Sequence, residues 1–132
     1  MKLEVSDINL KVGDQLKIKG EIPHDAERFQ IDLGLDAEDL ALHFNPRFHD
    51  DTAVVVCNSK TAGCWGEERR ETQHPLQRGM QVKMVLKMTG QMFEVELPHG
   101  HHIYFPNRED LEVMKYLSIT GDFKVTCLKM CM

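Results

Sequence analysis

The sequence predicts an all-β protein, an antiparallel sandwich or barrel, and three observations lead there. Apolar and polar residues alternate with a period of two in run after run. Turn-forming residues separate those runs at the roughly 8–12-residue spacing of sandwiches and barrels. Only one stretch offers a helical spacing. The 132 residues hold no Pro/Gly/Ser-rich divide, so a single domain over 1–132 is expected.

The elements follow in order. Leu16-Lys17-Ile18-Lys19 reads apolar-in, polar-out between turn signals at Val12-Gly13-Asp14 and Gly20. Phe29-Gln30-Ile31-Asp32-Leu33 follows the Ile22-Pro23-His24-Asp25 turn and stops at Gly34. Leu40 to Phe44 is the next strand, and Val54-Val55-Val56, apolar on both faces, lies deeper. Beyond Arg78-Gly79, Val82, Met84, Leu86 and Met88 face inward while Lys83 and Lys87 face out. Thr89-Gly90-Gln91 turns the chain into Phe93 to Leu97, and Pro98-His99-Gly100 turns it again. Leu111, Met114 and Leu117 suggest a turn or two of helix within Asn107 to Ser118. After Gly121-Asp122, Phe123 to Cys127 closes the series as a strand.

Composition excludes several roles. A net charge of −5 argues against nucleic acid and against adsorption to anionic membranes. No run approaches the ~20 apolar residues of a membrane span, so no membrane insertion is expected. Met1 to Val12 contains no continuous apolar run of the signal-peptide kind, which predicts synthesis in the cytosol. Cys57, Cys64, Cys127 and Cys131 are then expected as free thiols, since a chain with 42% apolar residues does not need disulfide staples. Their spacings do not fit a zinc site, so neither metal nor cofactor is expected.

The chemistry concentrates mid-chain. His43, Asn45 and Arg47 alternate along one strand and share a face, while Leu42, Phe44 and Phe48 supply the opposite, buried side. Asn58 follows, then Trp65, Glu68 and Arg70. The single Trp stands between Gly63 and Gly66, which favours a partly exposed ring. A flat apolar surface beside a fork of hydrogen-bonding groups suits a sugar.

His43-Phe-Asn45-Pro-Arg47, Val56-Cys-Asn58 and Trp65-Gly-Glu-Glu68-Arg-Arg70 together resemble the H-x-N-P-R, V-x-N and W-x-x-E-x-R signature of the galectins, lectins that bind β-galactosides. The resemblance extends along nearly the whole chain, through Leu16 to Gly20, Leu97 to Gly100, Phe105 to Arg108 and Gly121 to Phe123. It implies a jelly-roll β-sandwich of the galectin/concanavalin kind and a prototype lectin that pairs as a homodimer. It implies that positions 43, 45 and 47 read the axial 4-hydroxyl of galactose and that Asn58 and Glu68 hold the 6-hydroxyl. Trp65 then stacks on the ring, and Glu68 with Arg70 reaches the second sugar. A charge network joining Arg47 to Glu68 is expected to fix rotamers before ligand arrives. The resemblance further implies β-galactoside glycans of glycoproteins and glycolipids as partners, and residence both in the cytoplasm and, by leaderless export, outside the cell. The connection His49-Asp50-Asp51-Thr52 is shorter than in many prototype members.

An enzyme is disfavoured. Glycoside hydrolysis needs two carboxylates ~5–10 Å apart across the scissile bond, and Glu68, beside arginines, is kept ionised and unfit as a general acid. An intracellular fatty-acid carrier would need an enclosed apolar cavity, whereas the distinctive residues here are polar. The remaining alternative is a structural dimer of the same fold that does not bind sugar.

Overall fold

A computed structural model describes residues 1–48 and 53–131. The strands are β1 (Lys2–Lys11), β2 (Gln15–Glu21), β3 (Phe29–Asp36), β4 (Asp39–Arg47), β5 (Val54–Thr61), β6 (Cys64–Trp65), β7 (Arg69–Glu71), β8 (Gln81–Met88), β9 (Met92–Leu97), β10 (His101–Pro106), β11 (Val113–Gly121) and β12 (Lys124–Cys131). They pair into two antiparallel sheets. One runs β1-β11-β3-β4-β5-β6, with β7 also on β5; the other runs β10-β9-β8-β2-β12. The chain changes sheet between β1 and β2, β2 and β3, β7 and β8, β10 and β11, and β11 and β12. That repeated crossing is how a jelly roll closes an antiparallel sandwich.

Period-two alternation decides what lies between the sheets. Leu16 and Ile18 of β2, Ile31 and Leu33 of β3, Leu42 and Phe44 of β4, Met84 and Leu86 of β8, and Phe93 and Val95 of β9 form one buried cluster. Phe29 stacks on Phe123 with ring centroids 4.5 Å apart, tying the start of β3 to the start of β12. Every strand expected from alternation is present.

Three expectations need correction. The helical spacing at Leu111, Met114 and Leu117 belongs to a loop followed by β11, which is paired on one side with β1 and on the other with β3. Gly20 and Gly34 are not turns but lie inside β2 and β3. A Cβ at Gly20 would meet the Phe123 ring at 2.4 Å, and one at Gly34 would meet the Asp39 carbonyl oxygen at 2.1 Å, so both glycines answer a close approach. The expected turns are absent there because sequence shows the glycine without the neighbour that requires it.

β4 is the strand that positions the site. It lies between β3 and β5, with His43 in register with Asp32 on one side and Asn58 on the other. No helix among the described residues is long and apolar enough to cross a membrane.

Candidate functional site

The outer face of the seven-stranded sheet carries a groove of about 680 Å³. His43, Asn45 and Arg47 from β4, Asn58 and Val56 from β5, Trp65 from β6, and Glu68 from the loop after it line one side and the floor. Gln30 and Asp32 of β3 and Tyr116 and Ser118 of β11 continue it. Six of the seven residues singled out from the sequence therefore share one groove. Arg70 stands behind, its Nε donating to Glu68 Oε1 at 2.8 Å.

His43 and Asn45 are buried and Arg47 half-buried, and each has a partner, as burial demands. Nδ1 of His43 donates to Asp32 Oδ1 at 2.5 Å. A carboxylate can only accept, so in the neutral ring Nε2 is left as the acceptor. Asn45 donates from Nδ2 to the Phe29 carbonyl at 2.7 Å and accepts from Arg47 Nε at 2.9 Å. Arg47 is thus held by Asn45, and among the described residues no ion pair joins it to Glu68. The expected Arg47–Glu68 network is replaced by two separate pairs, because each charge finds a partner two residues away on its own strand or loop.

Asn58 is fixed by three contacts. Its Oδ1 accepts from the Ser59 backbone N–H at 2.7 Å and from Arg108 Nη1 at 3.2 Å, while Nδ2 donates to the Gly66 carbonyl at 3.0 Å. The carboxamide cannot flip without losing all three, and its second Nδ2 hydrogen remains for a ligand. Gly66 is required here by space: a Cβ would lie 2.9 Å from Arg108 Nη1 and 3.1 Å from Ser59 Oγ.

Trp65 is 51% exposed. The β5–β6 hairpin turns through Ala62 and Gly63, both at positive φ (50° and 81°), the left-handed geometry of a two-residue hairpin turn. Asp39 Oδ1 and the Glu38 carbonyl accept from the Ala62 and Gly63 N–H groups at 2.9 and 3.0 Å, anchoring this hairpin to the β3–β4 hairpin. The indole is bracketed by His43, with centroids 4.7 Å apart, and by Lys60, whose Nζ lies 5.1 Å from the ring. Its remaining surface is an open apolar platform.

Two supporting residues escape a reading of the motif alone. Asp32 orients His43, and its only sequence signal is a charged residue at an outward position of β3. Arg108 donates to Asn58, to Ser59 Oγ at 3.1 Å and to the Glu67 carbonyl at 2.6 Å, and its guanidinium lies 4.6 Å from the Phe105 ring centroid. It clamps β5 to the loop that carries Trp65 and Glu68. His49, Asp50, Asp51 and Thr52 lie outside the described residues.

All four cysteines are free. Burial pushes the Cys57 thiol up to about 12, with Glu71 adding to the shift. Among the described residues no three His, Cys, Asp or Glu side chains converge on a metal position.

A family model described as galactoside-binding lectin matches residues 2–130. Galectin-1 of Bos taurus is 45% identical over 128 residues, covering 96% of this chain and 95% of the relative. Among solved structures, a homodimeric agglutinin from chicken liver superposes with a TM-score of 0.93 at 40% identity, covering 98% of this chain and 99% of that one. A toad ovary galectin solved in complex with thio-digalactose gives a TM-score of 0.91 at 36% identity, over 98% of this chain and 97% of that one.

Proposed function

This chain belongs to the galactoside-binding lectin family, the galectins, and from that premise we propose how its groove reads its sugar. It is a β-galactoside-binding lectin, a binding protein and not an enzyme. In our reading it takes the galactose of lactose- and N-acetyllactosamine-type glycans on glycoproteins and glycolipids, without metal or cofactor. The observation that supports this best is the juxtaposition of the half-exposed Trp65 with the buried His43, Asn45 and Asn58 across one groove.

Galactose lays its apolar C–H face on the indole. Its axial 4-hydroxyl then points down to His43, Asn45 and Arg47, and its 6-hydroxyl to Asn58 and Glu68. Held this way, His43 Nε2 accepts, Arg47 donates, and Asn45 completes the fork. An equatorial 4-hydroxyl, as in glucose, leaves those groups unpaired at a cost of about 1–3 kcal/mol, enough to discriminate. Glu68, steadied by Arg70, reaches the second sugar. A shallow groove in which water competes for each hydroxyl should give a lactose Kd of high-micromolar to millimolar, about −4 to −6 kcal/mol.

Titration of the reduced protein with lactose, followed by Trp65 fluorescence with sucrose as control, tests the reading. A saturable response to lactose alone, abolished in Arg47→Ala, is the expected outcome. Silence from a folded, reduced sample would leave only a structural dimer of the same fold.

Pairing is the second part of the proposal. β1 and β12 are edge strands, carrying part-buried Leu3, Val5, Val125 and Leu128 and an exposed Met130. An apolar edge invites pairing unless covered, and a two-fold homodimer through these strands would cover it and set two grooves to cross-link glycans. A single monomer species by sedimentation at micromolar concentration would overturn it. Residence in the cytoplasm, with export that needs no leader, follows from the same family reading; its absence from the medium of intact expressing cells would remove the second half.

A further inference from the structure

We propose a second binding site on the far side of the sandwich, on the outer face of the five-stranded sheet, that takes a sulfated polysaccharide chain. The face is formed by β12, β2 and β8. Antiparallel register places Lys129 directly opposite Lys17, and Lys19 directly opposite Lys83. Side chains opposite one another in a ladder have Cβ atoms ~4.5–5.5 Å apart, and like charges so placed repel. Lys17 and Lys19 are two residues apart on one strand and so share the face, which joins the two pairs into a block of four ammonium groups.

The block is only partly compensated. None of the four lysines makes an ion pair among the described residues. Two carboxylates border it: Glu96 takes Lys87 at 2.9 Å and also feels the charge of Lys83, and Glu21, in register with Gln81 and Lys124, shares the face two residues from Lys19. A chain whose net charge is −5 thus gathers four lysines without an ion-pair partner among the described residues in one place, more cations than the two bordering carboxylates balance. Beside Lys19 and Lys83 lies a concavity of about 300 Å³, also lined by Glu21, Gln81 and Thr126. The register of β12 against β2 shifts between Val125 and Cys127, so Thr126 is the extra residue of a bulge and is left out of the ladder. Its hydroxyl and the Gln81 carboxamide supply donors and acceptors for sugar hydroxyls beside the cationic block.

This combination favours a sulfated saccharide over other polyanions. The concavity has no aromatic side chain to stack a base, which single-stranded nucleic acid would use. It has no large apolar side chain to insert into a lipid surface. Lysine ammonium groups act as point charges and suit sulfate esters without needing a planar fork. The site is separate from the galactoside groove, so each can be tested with the other filled.

The experiment is calorimetric titration of the full chain, in saturating lactose, with a heparin-derived hexasaccharide. A desulfated hexasaccharide of equal length and a single-stranded oligonucleotide serve as comparators. The sulfated probe should bind with lactose present, and log K should fall linearly with log salt. Lys19→Gln and Lys83→Gln should each weaken it about three- to tenfold and lower the salt slope by about 0.7–0.9, with lactose affinity unchanged. Lys115→Gln, an equal charge change on the other sheet, should leave it unaffected. The proposal is overturned if lactose displaces the sulfated probe, if Lys115→Gln weakens it as much, or if the desulfated probe or the oligonucleotide binds as tightly.

Discussion

Along β4 and β5 the groove is nearly sealed, with His43, Asn45 and Asn58 only 8%, 3% and 7% exposed. Along β6 and β7 everything from Thr61 to Arg70 is exposed. The first half is organised by the protein for its own sake: every buried polar group there must be paired whether or not a sugar is bound. The second half carries no buried polar group of its own. It is held from outside, by the Asp39 and Glu38 anchors of its hairpin, the His43 and Lys60 contacts on the indole, the Asn58 and Arg108 hydrogen bonds to its loop and the Glu68–Arg70 pair. Ligand completes it. Substitutions in the first half should therefore cost fold and affinity together, and those in the second should cost affinity alone.

The sharpest contrast is between two cysteines seven residues apart. Cys57 is 3% exposed on the core side of β5, with its thiol raised to about 12, whereas Cys64 is exposed beside Trp65. Thiolate is the reactive form and the reagent must reach the sulfur, so exposed Cys64 should alkylate far faster than buried Cys57 at neutral pH. Iodoacetamide labelling followed by mass spectrometry reads the ratio directly. The same shift has a sign for stability. The folded state holds the Cys57 proton more tightly, so its contribution is complete below about 9 and is lost as pH rises toward about 12. A Cys57→Ala protein, though less stable, should lose stability more slowly with pH above 9 than the parent. Equal labelling of the two thiols would show that β5 opens readily and would dissolve the distinction between the halves.

Asn45→Leu comes next in size. It removes the partner of the Phe29 carbonyl and of Arg47 Nε in one step. Orphaned buried groups cost about 1–3 kcal/mol each, so the melting temperature should drop by several degrees. Lactose affinity should fall about 100-fold or more, since a lost fork is worth at least two such contacts. A variant with normal stability and normal affinity would mean that Asn45 is not what holds the sealed half.

Trp65→Ala is the matching experiment in the open half. Losing the stacking platform should weaken lactose about tenfold or more, at ~1–3 kcal/mol. Because the ring is half in solvent, the melting temperature should move by no more than about 2 °C. A large fall in stability instead would make the indole a packing residue.

How far the sequence revealed all this differs between the same two regions. The strands and the lining residues were legible, because alternation is local and the three-part motif is closely spaced. What supports the lining was not. Asp32 reaches His43 from a neighbouring strand, and Arg108 reaches Asn58 from 50 residues away. Gly20 and Gly34 read as turns because the Phe123 ring and the Asp39 carbonyl that demand them lie elsewhere in the chain. Leu111, Met114 and Leu117 mimic a helix because pairing on both edges of β11, not spacing along it, decides that element. Local pattern predicts which residues face which way; pairing in three dimensions decides which are held still.

Arg108→Met probes the join between the halves and should have the smallest effect. The substitution keeps an unbranched chain over Phe105 but removes the donors to Asn58, Ser59 and Glu67. The part of these contacts that fixes Asn58 is worth about 1 kcal/mol net, so lactose should weaken by about fivefold. A merely structural loss would weaken every ligand alike. If Arg108 acts by fixing Asn58 toward the 6-hydroxyl, the loss should disappear for a lactose analogue with a 6-deoxy galactose, which parent and variant should then bind equally. A penalty of the same size on the 6-deoxy sugar would move Arg108 from positioning Asn58 to holding the Trp65 loop as a whole, and the two halves would prove to be coupled through β5.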